Sequence, residues 1–425
     1  MTADGRDRWF PERPPDPGWS PAEAKDVAAS FDPRKLGPEF YANPFPVYQA
    51  LLEHEPVHLC PDGTWFLSRY EDLNRIYRDT RTFSSDKKIE FWPKYGDTPL
   101  YEHHTTSLVF SDPPLHTRVR KLIVGALSPR AIAHMEPALV RLVDGLLDQL
   151  EDKGSVDLIE DFASAIPVEI IGNLLGVPHE ERGPLRGWSL DILTALEPVL
   201  TADQEERGND AVSEFVAYLK DLTADRRRNP GDPAVDVLTR LIQGEQDGEK
   251  LSEAELLQNC IFILNAGHET TTNLIGNGLY SLLEWPGERQ RLLDKPDLIE
   301  TAIEEFLRFE SSNQLGNRRV VEACEIGGVK MEEGALITLC IGAANRDPRQ
   351  FPDPDRLDLS RRPNKHLAFA GGPHLCAGLS LARLEGRIAI SRFLARFPDY
   401  GLCGDPQRGG RARFRGFLKL PVRIH

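Results

Sequence analysis

Apolar positions along this chain recur mainly at helical spacing, with three β-like interruptions. The segment VHLCPDGTWFLSRY, residues 57–70, sets two short apolar runs on either side of a Pro-Asp-Gly turn, which predicts a β-hairpin. From about 112 to 300 the spacing is helical: MEPALVRLVDGLLDQLED keeps it cleanly, and FASAIPVEIIGNLLGVP less so. Within that stretch, LLQNCIFILNAGHETTTNLIGNGLYSLLEW, residues 256–285, is apolar nearly all round and predicts a long buried helix. From about 315 to 345 the chain alternates and turns like strands, and the last segment, FLKLPVRIH, is again β-like. The pattern predicts a mainly α protein with a minor β region on one side.

No repeat or low-complexity linker divides the sequence. The reading is a loose or surface-wrapped arm over residues 1–25 and a single domain over 26–425. With 40% hydrophobic positions in 425 residues the chain can bury a large core, and its net charge of −15 argues against nucleic acid or an anionic membrane as general partner. The six cysteines (60, 260, 324, 340, 376 and 403) are scattered with no CxxC pair, as expected of reduced thiols in a cytoplasmic protein. The opening residues, MTADGRDRWFPERPPDPGWSPAEAKD, are charged and proline-rich, with no apolar run near the ~20 residues of a membrane span. A soluble protein without a membrane anchor is expected.

Four segments carry chemistry. In FAGGPHLCAG, residues 369–378, Cys376 stands before an amphipathic run, and a thiol at a helix start meets unpaired N–H groups and the positive end of the dipole. Both favour thiolate, which can ligate haem iron. The buried helix contains Glu269, Thr270, Thr271 and Thr272, costly in an apolar run unless they are used or satisfied. In IEEFLRFE, Glu305 and Arg308 are spaced to face one another on a helix. In DPPLHTRVR, His116 and Arg120 share a helix face.

In this order along the chain these segments resemble the cytochrome P-450 family. FAGGPHLCAG is similar to that family's FGxGxHxCxG loop, with Ala370 where glycine is common, a residue that resists positive φ. AGHETT resembles AGx(D/E)TT, which implies that Ala266 and Gly267 border the oxygen side of the haem. It also implies that Thr270 and Glu269 form an alcohol–acid pair delivering protons. Glu305 and Arg308 match the family's ExxR pair, with Arg356 of FPDPDRLDL as third member of a structural triad. His116 and Arg120 match DPPxHxxxR, contacting a haem propionate. Arg318 is assigned to the other propionate, though Arg319 next to it leaves the register open, and His374 is the fourth propionate partner.

The resemblance implies the cytochrome P-450 fold, with haem b between the long central helix and the cysteine-loop helix. Cys376 thiolate would be the axial ligand, and Phe369 and Gly378 would complete the loop. It implies a monooxygenase that uses O2 and external electrons to insert one oxygen atom into a mainly hydrophobic small molecule. No GxGxxG after a strand and no iron–sulfur spacing is visible, so ferredoxin and its reductase are the expected donors. Arg118, Lys121, Arg130, Arg383 and Arg387 are the candidate docking patch. The pocket is assigned to Phe91, Trp92, Leu108, Val109, Leu190, Leu193, Ile263, Ala266, Leu315 and Phe417, with Asn265, Gln314 and Asn317 as polar contacts. Peroxide-driven or non-oxygenating chemistry, and a non-catalytic haem sensor, are the alternatives.

Overall fold

A computed structural model describes residues 18–425 apart from 234, 235, 247 and 248. Its axis is one central helix, Glu253–Glu284, buried along most of its length. Ser252 and Glu255 close its start reciprocally: Ser252 Oγ accepts from Glu255 N (3.2 Å) and the Glu255 carboxylate accepts from Ser252 N (2.8 Å). Around it pack the helices Ala165–Leu175, Leu185–Thr194, Ala202–Arg228, Ile299–Phe309 and Leu379–Arg396. A helix wrapped on every side needs no polar face, which is why this stretch reads as apolar all round.

The sheet lies to one side. Its strands run in the order Val57–Leu59, Trp65–Leu67, Leu336–Cys340, Leu315–Val320 and Phe83–Ser84. The predicted hairpin is its edge, with Val57 opposite Leu67 and Gly63 at φ +84° in the turn. The alternating segment forms Leu315–Val320, Cys324–Ile326, Val329–Met331 and Leu336–Cys340, turning at Gly327 and Gly328. FLKLPVRIH gives Phe417–Lys419 and Pro421–Arg423. The latter pairs with Ser155–Asp157, a three-residue strand inside the stretch of helical spacing and too short to show a period of its own.

Most of the expected arm lies outside the described residues. Its last positions already belong to a helix, Pro21–Ala29, started by a capping box of Ser20 and Glu23. No described helix is long and apolar enough to cross a membrane.

Candidate active site

The cysteine loop folds as a tight return ahead of the C-terminal helix. That helix begins at Leu379 with Gly378 as its N-cap, so Cys376 precedes the first turn. Cys376 N donates to Phe369 O (3.0 Å), closing the loop. Gly372, at φ +62°, passes so close to Tyr77 O and Arg78 Cα that no Cβ fits there. Ala370 adopts φ +55°, a left-handed conformation that costs an alanine about 1 kcal/mol or more. The thiol differs from its sequence reading. Burial raises the Cys376 pKa and outweighs the lowering by the Gly378 N–H and by the Arg120 and Arg383 charges.

The central helix is open at one stripe only. Ala266 is exposed and Gly267 and Thr270 are partly so, whereas Leu264, Asn265, His268 and Glu269 are buried. Thr270 Oγ1 donates back to Ala266 O (2.7 Å), so the alcohol and the alanine share that opening. Gly267 serves packing: a Cβ there would collide with Ile171 of the helix Ala165–Leu175. Glu269 is 2% exposed and ion-paired with Arg411, a residue that no sequence motif singled out. Its second oxygen, Oε2, has no hydrogen-bond partner among the described residues.

Beside the cysteine loop lies a nest of donors. The His116 and His374 rings are 4.1 Å apart, Arg120 Nη2 donates to Leu375 O (2.6 Å), and Arg318 Nη1 to Asn317 O (2.7 Å). Among the described residues none of the four is in an ion pair, and His116 Nε2 and Arg318 Nε are buried without a partner. Burial first, then the charges of Arg318, His116 and Arg120, pushes His374 down to about 2. Strand alternation separates the two arginines of the open register. Arg318 is the buried member whose charge reaches both histidines, and Arg319 points to the opposite face. A group bearing two carboxylates fits this nest, and a Cβ on Gly378 would meet only open space beside Cys376. These residues fit haem.

The structural triad needs one correction. Arg308 donates to both Glu305 oxygens (2.8 Å each), and both side chains are fully buried. The third side chain is Arg361, whose Nε lies 3.1 Å from each Glu305 oxygen, joined by Asn364 Nδ2 (3.1 Å) and Asp358 N (3.0 Å). Arg356 is exposed and contributes only its carbonyl, which accepts from Arg308 Nη2 (3.3 Å). The Asp353, Pro354 and Arg356 carbonyls accept from Arg361 and Arg308, while the Arg356 side chain faces outward.

The pocket assignments separate by position. Ile263 and Ala266 lie on the stripe of Thr270, and Leu108 is tied to the same helix by its N–H to Asn259 Oδ1 (2.9 Å). Leu190 and Leu193 belong to the helix Leu185–Thr194 that packs there, and Phe91 packs edge-on to Tyr95, His104 and Phe110. Four residues lie elsewhere. Trp92 is 54% exposed, its ring against Tyr101 on the outer surface. The Phe417 ring is tilted against that of Tyr280 (centroids 4.7 Å apart), which lies about 15 Å beyond Thr270 along the helix axis. Val109 is on the surface side of its turn, and Leu315 packs among Tyr48, Phe66 and Cys340 in a separate small core.

The expected basic patch is largely neutralised. Arg383 pairs with Glu304 (2.7 Å), Arg387 with Glu136 (2.7 Å) and Arg118 with Glu255 (2.5 Å). Lys121 remains exposed, and the side chain of Arg130 lies outside the described residues.

A thiol in a glycine-bounded loop, buried donors without partners beside it and an alcohol on an opened helix are what a haem-thiolate site requires. The comparisons agree. The family model described as Cytochrome P450 matches residues 188–398. The chain is 39% identical over 392 residues to Cytochrome P450 107B1 of Saccharopolyspora erythraea, covering 88% of this chain and 93% of that one. It is 39% identical over 368 residues to the Vitamin D(3) 25-hydroxylase of Pseudonocardia autotrophica, covering 86% and 89%. The crystal structure of P450BioI in complex with hexadec-9Z-enoic acid ligated acyl carrier protein matches at a TM-score of 0.85 and 35% identity, covering 91% of this chain and 100% of that one. The chain belongs to the cytochrome P450 family. It is a haem-thiolate monooxygenase, with haem b as cofactor and a cysteine thiolate as axial ligand.

Proposed function

We propose that Cys376 supplies that thiolate, that His116, Arg120, Arg318 and His374 bind the two propionates, and that Thr270 and Glu269 deliver protons. Residues 26–425 act as one catalytic domain in the cytoplasm. The observation that carries the reading is the nest of four cationic or donor side chains beside the cysteine loop, none of them ion-paired among the described residues. Uncompensated buried cations are costly unless an anion joins them.

Haem, when bound, supplies dioxygen activation and oxidising power. The chain's residues do the rest. Thr270 Oγ1, now bonded to Ala266 O, is the hydroxyl at the open stripe and can rotate to hold a proton there. Glu269 stands next to it in the chain as the only carboxylate within that run of the helix. The apolar walls Phe91, Leu108, Leu193 and Ile263 exclude water and favour an apolar substrate. Relatives named as Vitamin D(3) 25-hydroxylase and 6-deoxyerythronolide B hydroxylase support a hydrophobic substrate.

Electrons arrive from a ferredoxin and its reductase. With the neighbouring arginines neutralised, Lys121 is the described cation left to guide an acidic donor, so Lys121→Glu should slow reduction most at low salt.

The test is spectroscopic. Purified protein should show the red-shifted reduced carbon-monoxide band of thiolate ligation, and Cys376→Ala should abolish it. A high-spin shift on titration with apolar compounds then finds the substrate. Equal turnover with peroxide alone would overturn the O2-driven reading.

A further inference from the structure

We propose that Glu197 and Arg411 are positioning residues for the distal acid. The loop 411–415 links them, so that seating of the 195–200 turn over the site and placement of the Glu269 carboxylate are one coupled event. This rests on the reading of Glu269 as a proton carrier.

Glu197 lies in the turn after the helix Leu185–Thr194 and is 8% exposed. Its carboxylate finds its hydrogen-bond donors in another part of the chain, accepting from Ala412 N (2.7 Å) and Arg413 N (3.1 Å). Arg413 reciprocates, donating to Leu196 O (3.2 Å), and also holds Leu315 O (2.8 Å) and Asn317 Oδ1. Burial raises the Glu197 pKa, while the two N–H bonds and the Arg413 and Arg411 charges oppose it. The turn and the loop are thus clasped in both directions.

One residue before Ala412, the Arg411 guanidinium pairs with Glu269 in a nearly dry setting, the side chains being 9% and 3% exposed. That pair is incomplete at both ends. Glu269 Oε2 and Arg411 Nη1 are buried and have no hydrogen-bond partner among the described residues. No second bond from the described residues fixes the carboxylate, so its position follows from where the loop places Arg411. The path from Glu197 to Glu269 consists of one carboxylate, three residues of backbone and one guanidinium.

The same turn is held on its other side by Lys94 Nζ, bonded to Ala195 O (3.1 Å) and Glu197 O (3.0 Å), and by the Tyr95 hydroxyl on Ala195 O. Those bonds lead to the helix Lys88–Tyr95 and away from Glu269. Moving the turn off its seat must strip the Ala412 and Arg413 N–H groups of their acceptor and loosen Arg411. Linkage makes the effect reciprocal: releasing Arg411 must loosen the turn.

The experiment uses haem-loaded full-length protein and amide hydrogen exchange. Glu197→Gln should cut protection of 409–415 by about tenfold, the scale of one lost charge-assisted bond, and also deprotect 266–272. Arg411→Gln should deprotect 195–200, to which its side chain makes no hydrogen bond or ion pair among the described residues. The double variant should match the singles. Effects confined to the segment each residue touches, or adding in the double variant, would overturn the proposal. Should Glu197→Gln lose haem, Glu197→Asp keeps the charge, shortens the reach and serves the same comparison.

A second readout feeds electrons from a plant-type ferredoxin and its NADPH reductase, without organic substrate, and measures the fraction of oxygen released as hydrogen peroxide. Both singles should shift that fraction in the direction of Glu269→Gln. If Glu269→Gln changes nothing, the proton-carrier reading fails, while the exchange data still decide the coupling.

Discussion

Single residues in this protein are set by competition between burial and local geometry. Ala370 holds a left-handed backbone because its N–H is committed to Leu367 O (2.8 Å) and the cysteine loop must close. Ala370→Gly should therefore stabilise the haem-loaded protein by about 1 kcal/mol in urea denaturation, less any entropic cost of glycine. Glu385 makes the opposite bargain. It faces Thr271 of the central helix, and burial pushes its carboxyl up to about 8. The folded state then holds a proton that the unfolded chain loses near 4.3, so this group's contribution to stability falls as pH rises from about 4.5 to about 8 and is flat above. Glu385→Gln should remove that slope, a difference of a few kcal/mol at pH 8 by thermal or denaturant unfolding across pH. A steeper slope in the variant would contradict the assignment. Neither effect is visible in the residue's identity alone; both need the surroundings.

Elements were legible where their period is long and their burial one-sided or complete. The central helix, the hairpin at 57–67 and the 315–340 strands follow from apolar spacing and turn residues, because each buries a face that the sequence must encode. Contacts between elements were legible only where a motif stood in for geometry. Glu305 and Arg308 share a helix, so their pairing follows from spacing, whereas the third partner comes from a loop and the motif pointed to Arg356 in place of Arg361. The two arginines make a direct comparison. Arg361→Ala leaves Glu305 short of a buried partner and should cost roughly 3 kcal/mol with loss of bound haem, while Arg356→Ala, keeping its carbonyl, should stay within about 0.5 kcal/mol. Denaturant midpoints and haem content of the two variants check this. The C-terminal segment RARFR carried a signal that went unread. Its arginines at alternate positions reach the buried acids Glu269 and Glu310 and the vicinity of Glu197. Alternating charge in an extended run is unusual unless each charge meets a partner inside.

At the scale of the molecule, charge is organised by pairing rather than by patches. Arg387, Arg392 and Arg396 of the C-terminal helix each bond an acid on the helix Pro129–Glu151, namely Glu136, Asp144 and the Asp148–Glu151 pair. The donor nest formed by His116, Arg120, Arg318 and His374 departs from that rule among the described residues, and in the proposed reading an anionic cofactor completes it. Removing haem should therefore deprotect 112–122 and 369–378 together in hydrogen exchange and lower the unfolding midpoint, with both restored on reconstitution. A protein equally protected without haem would speak against the nest as the propionate site.

By itself the sequence determined the helix-dominated architecture, the cysteine loop, the central helix with its alcohol and acid, and the placing of His116 and Arg120 on one helix face. The local features depend on spacing within one segment, where the backbone fixes which side chains face one another; Arg318 and His374 join His116 and Arg120 only through the fold. The tertiary structure alone decided that Arg361 braces Glu305, that Arg411 holds Glu269, that Trp92 and Phe417 face away from the site, and that burial raises the Cys376 thiol. Those outcomes arise from contacts between segments far apart in the chain and from desolvation, and both depend on packing that no local pattern records.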